Sequence, residues 1–266
     1  MLSHFSTSIR KMLPLNTVSI GMCLFLTLVY PFTTDKLLEN WALCPAKLIQ
    51  FEMHRLTTYP LVHLSLTHLL FNCLAFYPFV SKFEEKCGSF HTCIALNTVG
   101  ALTGVGYSII TYLLKFIGLD LFENNIAGSS GWVFSFLSVY AITIGSERIN
   151  LFSYGDSEFK IKGIYLPWFY LILSAILIPS SSFIGHSVAI GIGYALGLGW
   201  LKILLNTAWA VKLENFTPFK KLVGLTDVVK FNDEKICKWW YEVDVEERYG
   251  TQLTGGVRLG TTGAIV

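Results

Sequence analysis

A serine and a histidine, each set beside glycine in an otherwise apolar stretch, are the residues of this sequence best suited to covalent chemistry. Ser130 lies in the segment Gly128-Ser129-Ser130-Gly131, and His186 follows Gly185. A serine hydroxyl is a poor nucleophile until a base within hydrogen-bond reach takes its proton, and histidine is the usual base. The two residues therefore predict nucleophilic acyl transfer, if the fold brings their side chains together.

A second set of polar side chains could stabilise the negative charge that develops in such a reaction. His68 and Asn72 are four residues apart, so they share one face of a helix. The Asn72 amide, the Ser130 backbone N–H near a helix start and the His68 ring could all donate to an oxyanion. Because the apolar stretches around these residues contain no Asp or Glu to orient the base, we expect a Ser-His dyad.

The composition places these residues in a membrane. The 266 residues are 53% hydrophobic and only 14% charged, with a mean hydropathy of +0.53, which excludes an ordinary soluble domain. Five stretches without Asp, Glu, Lys or Arg are long enough to cross a hydrocarbon core of ~30 Å, and they cover residues 12–34, 56–81, 87–114, 124–146 and 163–201. Pro179-Ser180-Ser181-Ser182 divides the last stretch, so we predict an all-α membrane protein with six transmembrane helices.

The distribution of Lys and Arg orients this predicted bundle. With a cytosolic N-terminus over residues 1–11, a membrane domain over 12–206 and a cytosolic tail over 207–266, most basic residues face the cytosol. The second, fourth and sixth helices then all enter from the exoplasmic face. Their first turns share one depth, within ~10 Å of that surface, so His63, His68, Asn72, Ser130 and His186 converge there.

Other features of the sequence predict little further chemistry. The six cysteines form no evident disulfide framework, and we expect neither a metal nor a cofactor. The tail mixes lysines with aromatic residues, which favours contact with an anionic membrane surface over binding to nucleic acid. The sequon Asn215-Phe216-Thr217 lies in this tail and is expected to stay unglycosylated.

Each small-residue segment also has an interpretation as helix packing, because small residues let membrane helices approach closely. We accept that interpretation for residues 100–104 and 193–197. For the segment around Ser130, the presence of five polar groups at one depth favours a reactive site instead. Ser129 has no assigned role, and replacing it with alanine is expected to be neutral.

These residues resemble the rhomboid intramembrane proteases, over residues 55–197. The family's second helix carries two histidines followed by an asparagine, which His63, His68 and Asn72 match. The segment around Ser130 fits its Gly-x-Ser-Gly motif. The last helix of the family carries a histidine followed by glycines, and here those residues are His186, Gly193 and Gly197, with Ala189 at the first glycine position.

The resemblance implies a role for each residue of the site. Ser130 would be the nucleophile and His186 the base, Asn72 and His68 would serve the oxyanion, and His63, Gly128 and Gly131 would support them. The activity implied is cleavage of transmembrane segments of membrane proteins in the lipid bilayer. The family's Trp-Arg pair in the first exoplasmic loop is reduced to Arg55, which puts lipid anchoring by that loop in doubt. The compact form with a long tail resembles the fungal Golgi rhomboids.

Two other functions are considered. A catalytically inactive rhomboid-like protein that binds membrane clients would typically lack the serine, the histidine or the preceding glycine, and all three are present. A small transporter would show similar halves or interrupted helices, and neither is seen. Separately, Gly256-Val257-Arg258-Leu259-Gly260 resembles half of a peptide that docks on a hexameric unfoldase ATPase, although a flexible terminus is favoured there.

Overall fold

The computed structural model describes residues 16–154, 157–178 and 181–201. The predicted cytosolic tail, with its sequon and its possible docking peptide, lies outside the described residues, as does the N-terminal segment 1–11. In chain order the helices and strands are α1 (Thr17–Val29), α2 (Asp35–Trp41), α3 (Pro45–Leu48), α4 (Arg55–Thr58), α5 (Leu66–Cys87), α6 (Ser89–Lys115), α7 (Ser130–Ile144), β1 (Arg148–Tyr154), β2 (Ser157–Lys162), α8 (Leu166–Leu177) and α9 (Phe183–Gly197).

Each of the six predicted spans contains one helix of at least twelve residues, but most of these helices are shorter than the uncharged stretch that predicted them. Within the described residues, α6 is long and apolar enough by itself to cross a bilayer. The segment Arg55–Leu61 and α5 meet the same test as a pair, with a bend of 98° between them. The other four long helices are apolar but have fewer than 18 residues.

The sharp bend before α5 has a local cause. Pro60 lies in a 3-10 turn, Tyr59–Leu61, and the Ser65 side chain then starts α5 by accepting a hydrogen bond from the His68 backbone N–H at 3.2 Å. The predicted second span, residues 56–81, is therefore not one helix. His63 lies in the connection, and only His68 and Asn72 lie on α5.

At its other end α5 extends beyond the predicted limit. It continues past Ser81 to Cys87, and Gly88, with a φ of +83°, is the single residue between α5 and α6. This places Glu84 inside the helix, where its side chain is fully buried. The charged residues 82–86, which lie just outside the uncharged stretch 56–81, are thus part of this helix.

The prediction of an all-α fold is also wrong in one place, because β1 and β2 form an antiparallel hairpin between α7 and α8. Arg148 pairs with Lys162 and Phe152 with Phe159, with a bulge between Asn150 and Phe152. Ile149 and Ile161, paired with each other, pack against a buried cluster that includes Leu166 and Leu171. The strands were not predicted because their alternating apolar residues lie in a short segment that is rich in charged residues.

The helix α7 forms the centre of the bundle, and most of its residues are buried on all sides. It packs most closely against α9. A Cβ at Gly193 would lie 2.2 Å from the Ser135 carbonyl oxygen, so the two backbones touch directly. The Ser135 hydroxyl also donates to the Ala189 carbonyl at 2.8 Å. Because Gly193 and the Ser135–Ala189 hydrogen bond set this spacing, the alanine at position 189 does not separate the two helices.

Candidate active site

Ser130 is the first residue of α7, and an extended segment before it is fixed at two points. Leu43 and Ile126 form an antiparallel bridge with two backbone hydrogen bonds of 2.9 Å. The Gly128 N–H then donates to the Tyr59 carbonyl, also at 2.9 Å. The segment is therefore tied to the loop before α5, and Ser130 is presented at a helix start with little freedom to move.

Gly128 is required at its position for two reasons. Its φ of +119° lies in the region that residues with a Cβ rarely adopt. A Cβ there would also lie 2.6 Å from Cε1 of His68 and 3.5 Å from Nδ2 of Asn72. The glycine thus lets the backbone before the serine pass directly beside the two side chains predicted to serve the oxyanion.

The structure brings Ser130 and His186 together as the sequence predicted. Nε2 of His186 lies 2.9 Å from Oγ of Ser130. His186 is the fourth residue of α9, a helix that Ser182 starts by accepting the Gly185 N–H at 3.0 Å. Because the imidazole is mostly buried, with 6% exposure, it is shielded from competing water.

The His186 ring is oriented by an aromatic side chain. Phe134, one turn after Ser130 on α7, stacks on the imidazole with ring centroids 4.4 Å apart and an interplanar angle of 30°. Among the described residues, Nδ1 of His186 has no hydrogen-bond partner. A carboxylate in the usual third position of a triad is therefore absent from the described part of the chain, and the arrangement is that of a dyad.

Unused hydrogen-bond donors face the same region. Asn72 is buried, with 6% exposure, and its Nδ2 has no partner among the described residues. His68 lies against Gly128 and places its ring 5.3 Å, centroid to centroid, from that of His63. The first backbone N–H groups of α7 have no intrahelical acceptor, and the helix dipole makes this end positive. These donors can stabilise an oxyanion.

Ser129 does have a structural role, and the expectation that it is a neutral position is wrong. It is fully buried, its Oγ lies 3.1 Å from Nε2 of His63, and its backbone N–H donates to the same nitrogen at 3.2 Å. A backbone N–H only donates, so Nε2 of His63 accepts and the ring carries its proton on Nδ1. His63 therefore fixes the residue before Ser130.

Two cavities meet at the dyad. One, of about 80 Å³, is lined by polar groups that include Ser65, Asn125 and Ser181. The other, of about 300 Å³, lies between α5 and α8 and is lined mainly by apolar side chains, among them Phe71 and Leu173. Ser130, His68 and His186 line both cavities. Within the described residues, no group of three or more His, Cys, Asp or Glu could hold a metal ion.

Two contributors to the site were missed in the sequence. Tyr59 holds Gly128 through its carbonyl, and its buried hydroxyl donates to the Gly100 carbonyl at 3.0 Å. Gly131 packs beside that hydroxyl, since a Cβ there would lie 3.3 Å from it. Phe134 could have been found, because it lies four residues after Ser130 on one helix face. Nothing in the local sequence marks Tyr59.

Arg55, the one residue of the family's Trp-Arg pair that is present in the first loop, is buried and holds the loop through hydrogen bonds. Arg55 is 3% exposed and donates from Nη1 to the carbonyls of Glu39 and Ala42, both at 2.7 Å. It also pairs with the Glu52 carboxylate at 2.6 Å, and this hydrogen bond lowers the pKa of Glu52 below its usual 4.5. The loop before α4 is thus held by protein contacts.

Comparison with known proteins agrees with this geometry. The model of the rhomboid domain matches residues 50–209. The rhomboid-type serine protease 2 of Eremothecium gossypii is 32% identical over 222 residues, which is 82% of this chain and 81% of the relative. The protein of the same description from Saccharomyces cerevisiae is 31% identical over 239 residues, covering 88% of this chain and 84% of the relative. The rhomboid-type serine protease B of Aspergillus fumigatus is 36% identical over 158 residues, covering 58% and 54%. The chain belongs to the rhomboid family.

Proposed function

We propose that Ser130 and His186 are the nucleophile and base of this rhomboid-type intramembrane serine protease. The observation that carries the proposal is the 2.9 Å contact between Ser130 Oγ and His186 Nε2 where a polar and an apolar cavity meet. Members that bind clients without cleaving them would have no use for this contact. The full set of serine, histidine and preceding glycine favours an active enzyme.

The steps follow from the positions of the groups. Nε2 of His186 takes the proton from Ser130 as Oγ attacks the substrate carbonyl carbon, and the carbonyl oxygen becomes an oxyanion. The Ser130 N–H, the Asn72 amide and His68 stabilise that charge. The protonated imidazole then gives its proton to the leaving amine, and an acyl-enzyme forms. A water molecule, deprotonated by His186, releases the second product and restores the serine.

The substrates are transmembrane segments of membrane proteins, and the apolar cavity between α5 and α8 is the route by which they approach. Its walls include Phe79 of α5 and Tyr170 of α8, both on the side away from the polar cavity. An apolar segment entering there would reach Ser130 and His186, which line the same cavity. The polar cavity on the other side can hold the water that hydrolysis consumes.

The proposed membrane arrangement is six crossings over residues 12–206, with both termini in the cytosol. Its support is the excess of Lys and Arg on one side and the shared depth of the site residues. By resemblance to the fungal Golgi rhomboids, the location is the Golgi membrane. A glycan on Asn215 in the native protein would contradict this topology, because glycosylation occurs on the luminal side.

A weaker proposal concerns the tail. The segment Gly256-Val257-Arg258-Leu259-Gly260 would recruit a hexameric unfoldase ATPase by resemblance to half of a known docking peptide. A peptide covering residues 249–266, immobilised and exposed to the purified ATPase, should retain it. A failure to retain it would leave the tail as a flexible terminus.

The test of the protease proposal is active-site labelling of the purified protein in lipid nanodiscs. A fluorophosphonate probe should label the wild type and fail to label the Ser130→Ala and His186→Ala variants. A matched control is Ser138→Ala, which removes another buried hydroxyl of α7 that bonds only to the Phe134 carbonyl. Equal labelling of wild type and Ser130→Ala would place the nucleophile elsewhere.

A further inference from the structure

The hairpin between α7 and α8 has one polar and one apolar face, and the apolar face is only half covered. Its inner part, formed by Ile149 and Ile161, packs against the bundle. Its outer part is the cross-strand pair Phe152 and Phe159, whose rings stack with centroids 5.0 Å apart and an interplanar angle of 16°. The two phenylalanines are 58% and 44% exposed.

These phenylalanines point the same way as the covered part of the hairpin. Phe159 and Ile161 are two residues apart on β2, so they share a face. Asn150, Ser153 and Glu158 lie on the opposite face, where the Asn150 amide donates to both neighbours at 2.8 and 3.3 Å. The apolar face therefore continues from the bundle outward, past the edge of the protein.

The hairpin also lies at the depth of the membrane surface. It leaves α7 only a few residues after Ile144 and re-enters through the 3-10 turn Gly163–Tyr165. Tyr165 and Trp168 follow at once and are 55% and 42% exposed. Exposed tyrosine and tryptophan at the start of a membrane helix mark the boundary between hydrocarbon and headgroups.

Two cations at the base of the hairpin have no counter-charge within the described part of the chain. Arg148 and Lys162 are directly opposite each other in the register, where like charges repel. Neither has a carboxylate within salt-bridge distance among the described residues. Lys160, one pair further along, differs because Glu158 neutralises it. An anion between Arg148 and Lys162 would relieve the repulsion.

We propose that this hairpin is a lipid-binding element: Phe152 and Phe159 insert into the membrane interface, and Arg148 and Lys162 bind the phosphate of an anionic lipid. The bilayer is the occupant because the uncovered face continues the covered one at interfacial depth. Arg148 and Lys162 lie on the polar face at the base of the hairpin, and Lys162 precedes Tyr165 by three residues. The inference requires only that α7 and α8 lie in the membrane, and it is independent of the proteolytic mechanism.

The insertion is tested by photocrosslinking of the full-length protein in nanodiscs of phosphatidylcholine. Benzoylphenylalanine at position 159 should yield a lipid adduct by mass spectrometry. The same amino acid at position 160, on the opposite face of the same strand, is the matched control and should yield roughly tenfold less, since its side chain faces away from the apolar phase. Equal yields at both positions, or an adduct to protein at position 159, would overturn the insertion.

The phosphate contact is tested by thermal unfolding of the same protein with and without a quarter of phosphatidylserine. The anionic lipid should raise the Tm of the wild type by about 4 °C, because its phosphate binds Arg148 and Lys162 in the folded protein. The double variant Arg148→Gln/Lys162→Gln should lose that increase, yet be no less stable than wild type in phosphatidylcholine alone, because the repulsion is removed. Lys160→Gln should keep the increase. If the double variant gains as much as wild type, the pair does not bind the lipid.

Discussion

Two buried polar clusters lie along α5, about 18 Å apart by helical rise, and they differ in how fully their hydrogen bonds are used. Around Glu84 every oxygen is occupied. Around Asn72, at the catalytic end, donors are left without partners. The first cluster holds helices together, and the second leaves donors that the proposed reaction would use.

The Glu84 cluster ties three helices at one point. The carboxylate accepts from the backbone N–H groups of Val18 and Ser19, both at 2.9 Å, in the first turn of α1. It also accepts from the hydroxyls of Ser19 at 2.8 Å and Ser89 at 2.7 Å, the latter at the start of α6. Groups that a helix start leaves unpaired are thus satisfied by a negative charge, which the helix dipole favours.

The catalytic cluster shows the opposite pattern. Nδ2 of Asn72 and Nδ1 of both His63 and His186 are buried without a partner in the described residues. A buried polar group without a hydrogen-bond partner lowers the stability of the folded protein, so a site that served stability alone would not be expected to contain several of them. In these two clusters the group with every bond satisfied holds helices together, and the groups with unused donors lie where the proposed reaction would need them. Thr103 and Trp132 are also buried with an unpaired atom, so substitutions are needed to test that distinction.

The largest expected effect is on the dyad. Ser130→Ala and His186→Ala should each reduce cleavage of a transmembrane reporter in liposomes by roughly 10⁶-fold, and the double variant should be no worse, because the two residues act as a unit. Neither change should lower the Tm. Additive losses in the double variant would show that the residues act separately.

Asn72→Ala should come next. It removes one oxyanion donor while the backbone N–H and His68 remain, so we expect a loss of roughly 2.7–4 kcal/mol in transition-state stabilisation, read as kcat. Since the lost amide has an unpaired donor, the Tm should hardly change. A fall in Tm with kcat unaltered would show that the Asn72 side chain stabilises the fold and does not take part in the reaction.

Glu84→Gln should give the reverse result. The amide group cannot accept the two donors that a carboxylate oxygen accepts, so unfolding should become easier by roughly 2–3 kcal/mol. We expect a fall in Tm of roughly 5–10 °C, with kcat preserved well below the transition. A loss of kcat in a fully folded sample would break the contrast between the two clusters.

The smallest effect is expected for Ser129→Ala. The hydroxyl contact to His63 is lost, but the Ser129 N–H still donates to the same nitrogen, so the cost should be about 1 kcal/mol, or about fivefold in kcat. Ser138→Ala, whose hydroxyl bonds within its own helix, is the control and should be neutral. If both variants behave alike, His63 does not position the nucleophile through the Ser129 hydroxyl.

The reactive residues could be predicted from the sequence because membrane burial makes polar side chains conspicuous. Ser130, His186 and Asn72 stand in stretches without charge, and the predicted shared direction of their three helices was enough to propose that they meet. Their partners could not be predicted in the same way. The contact between His63 and Ser129 depends on a 98° bend before α5 and on the position of α7, which residues distant in the sequence share.

The errors in the fold have related causes. A stretch without charged residues shows which part of the chain can lie in lipid, but it does not show where a helix begins. The helix α7 begins at Ser130, although the uncharged stretch begins at residue 124. Conversely, α5 continues through the charged residues after Ser81, because four hydrogen-bond donors surround the Glu84 carboxylate. In the hairpin, lysines on alternate positions concealed the apolar face formed by Ile149, Ile161 and the two phenylalanines.

The backbone contact between Gly193 and Ser135 has a consequence for how the dyad responds to heat. Ordinary cores loosen as side chains change rotamer, but here Gly193 lies directly against the Ser135 backbone and Cβ of Ser138, and neither of these can change rotamer. The distance between Ser130 and His186 is therefore set by the direct backbone contact of α7 and α9. The rate of cleavage should rise with temperature as the Arrhenius equation describes until α7 and α9 separate. Activity should then be lost abruptly, at the temperature at which the protein unfolds.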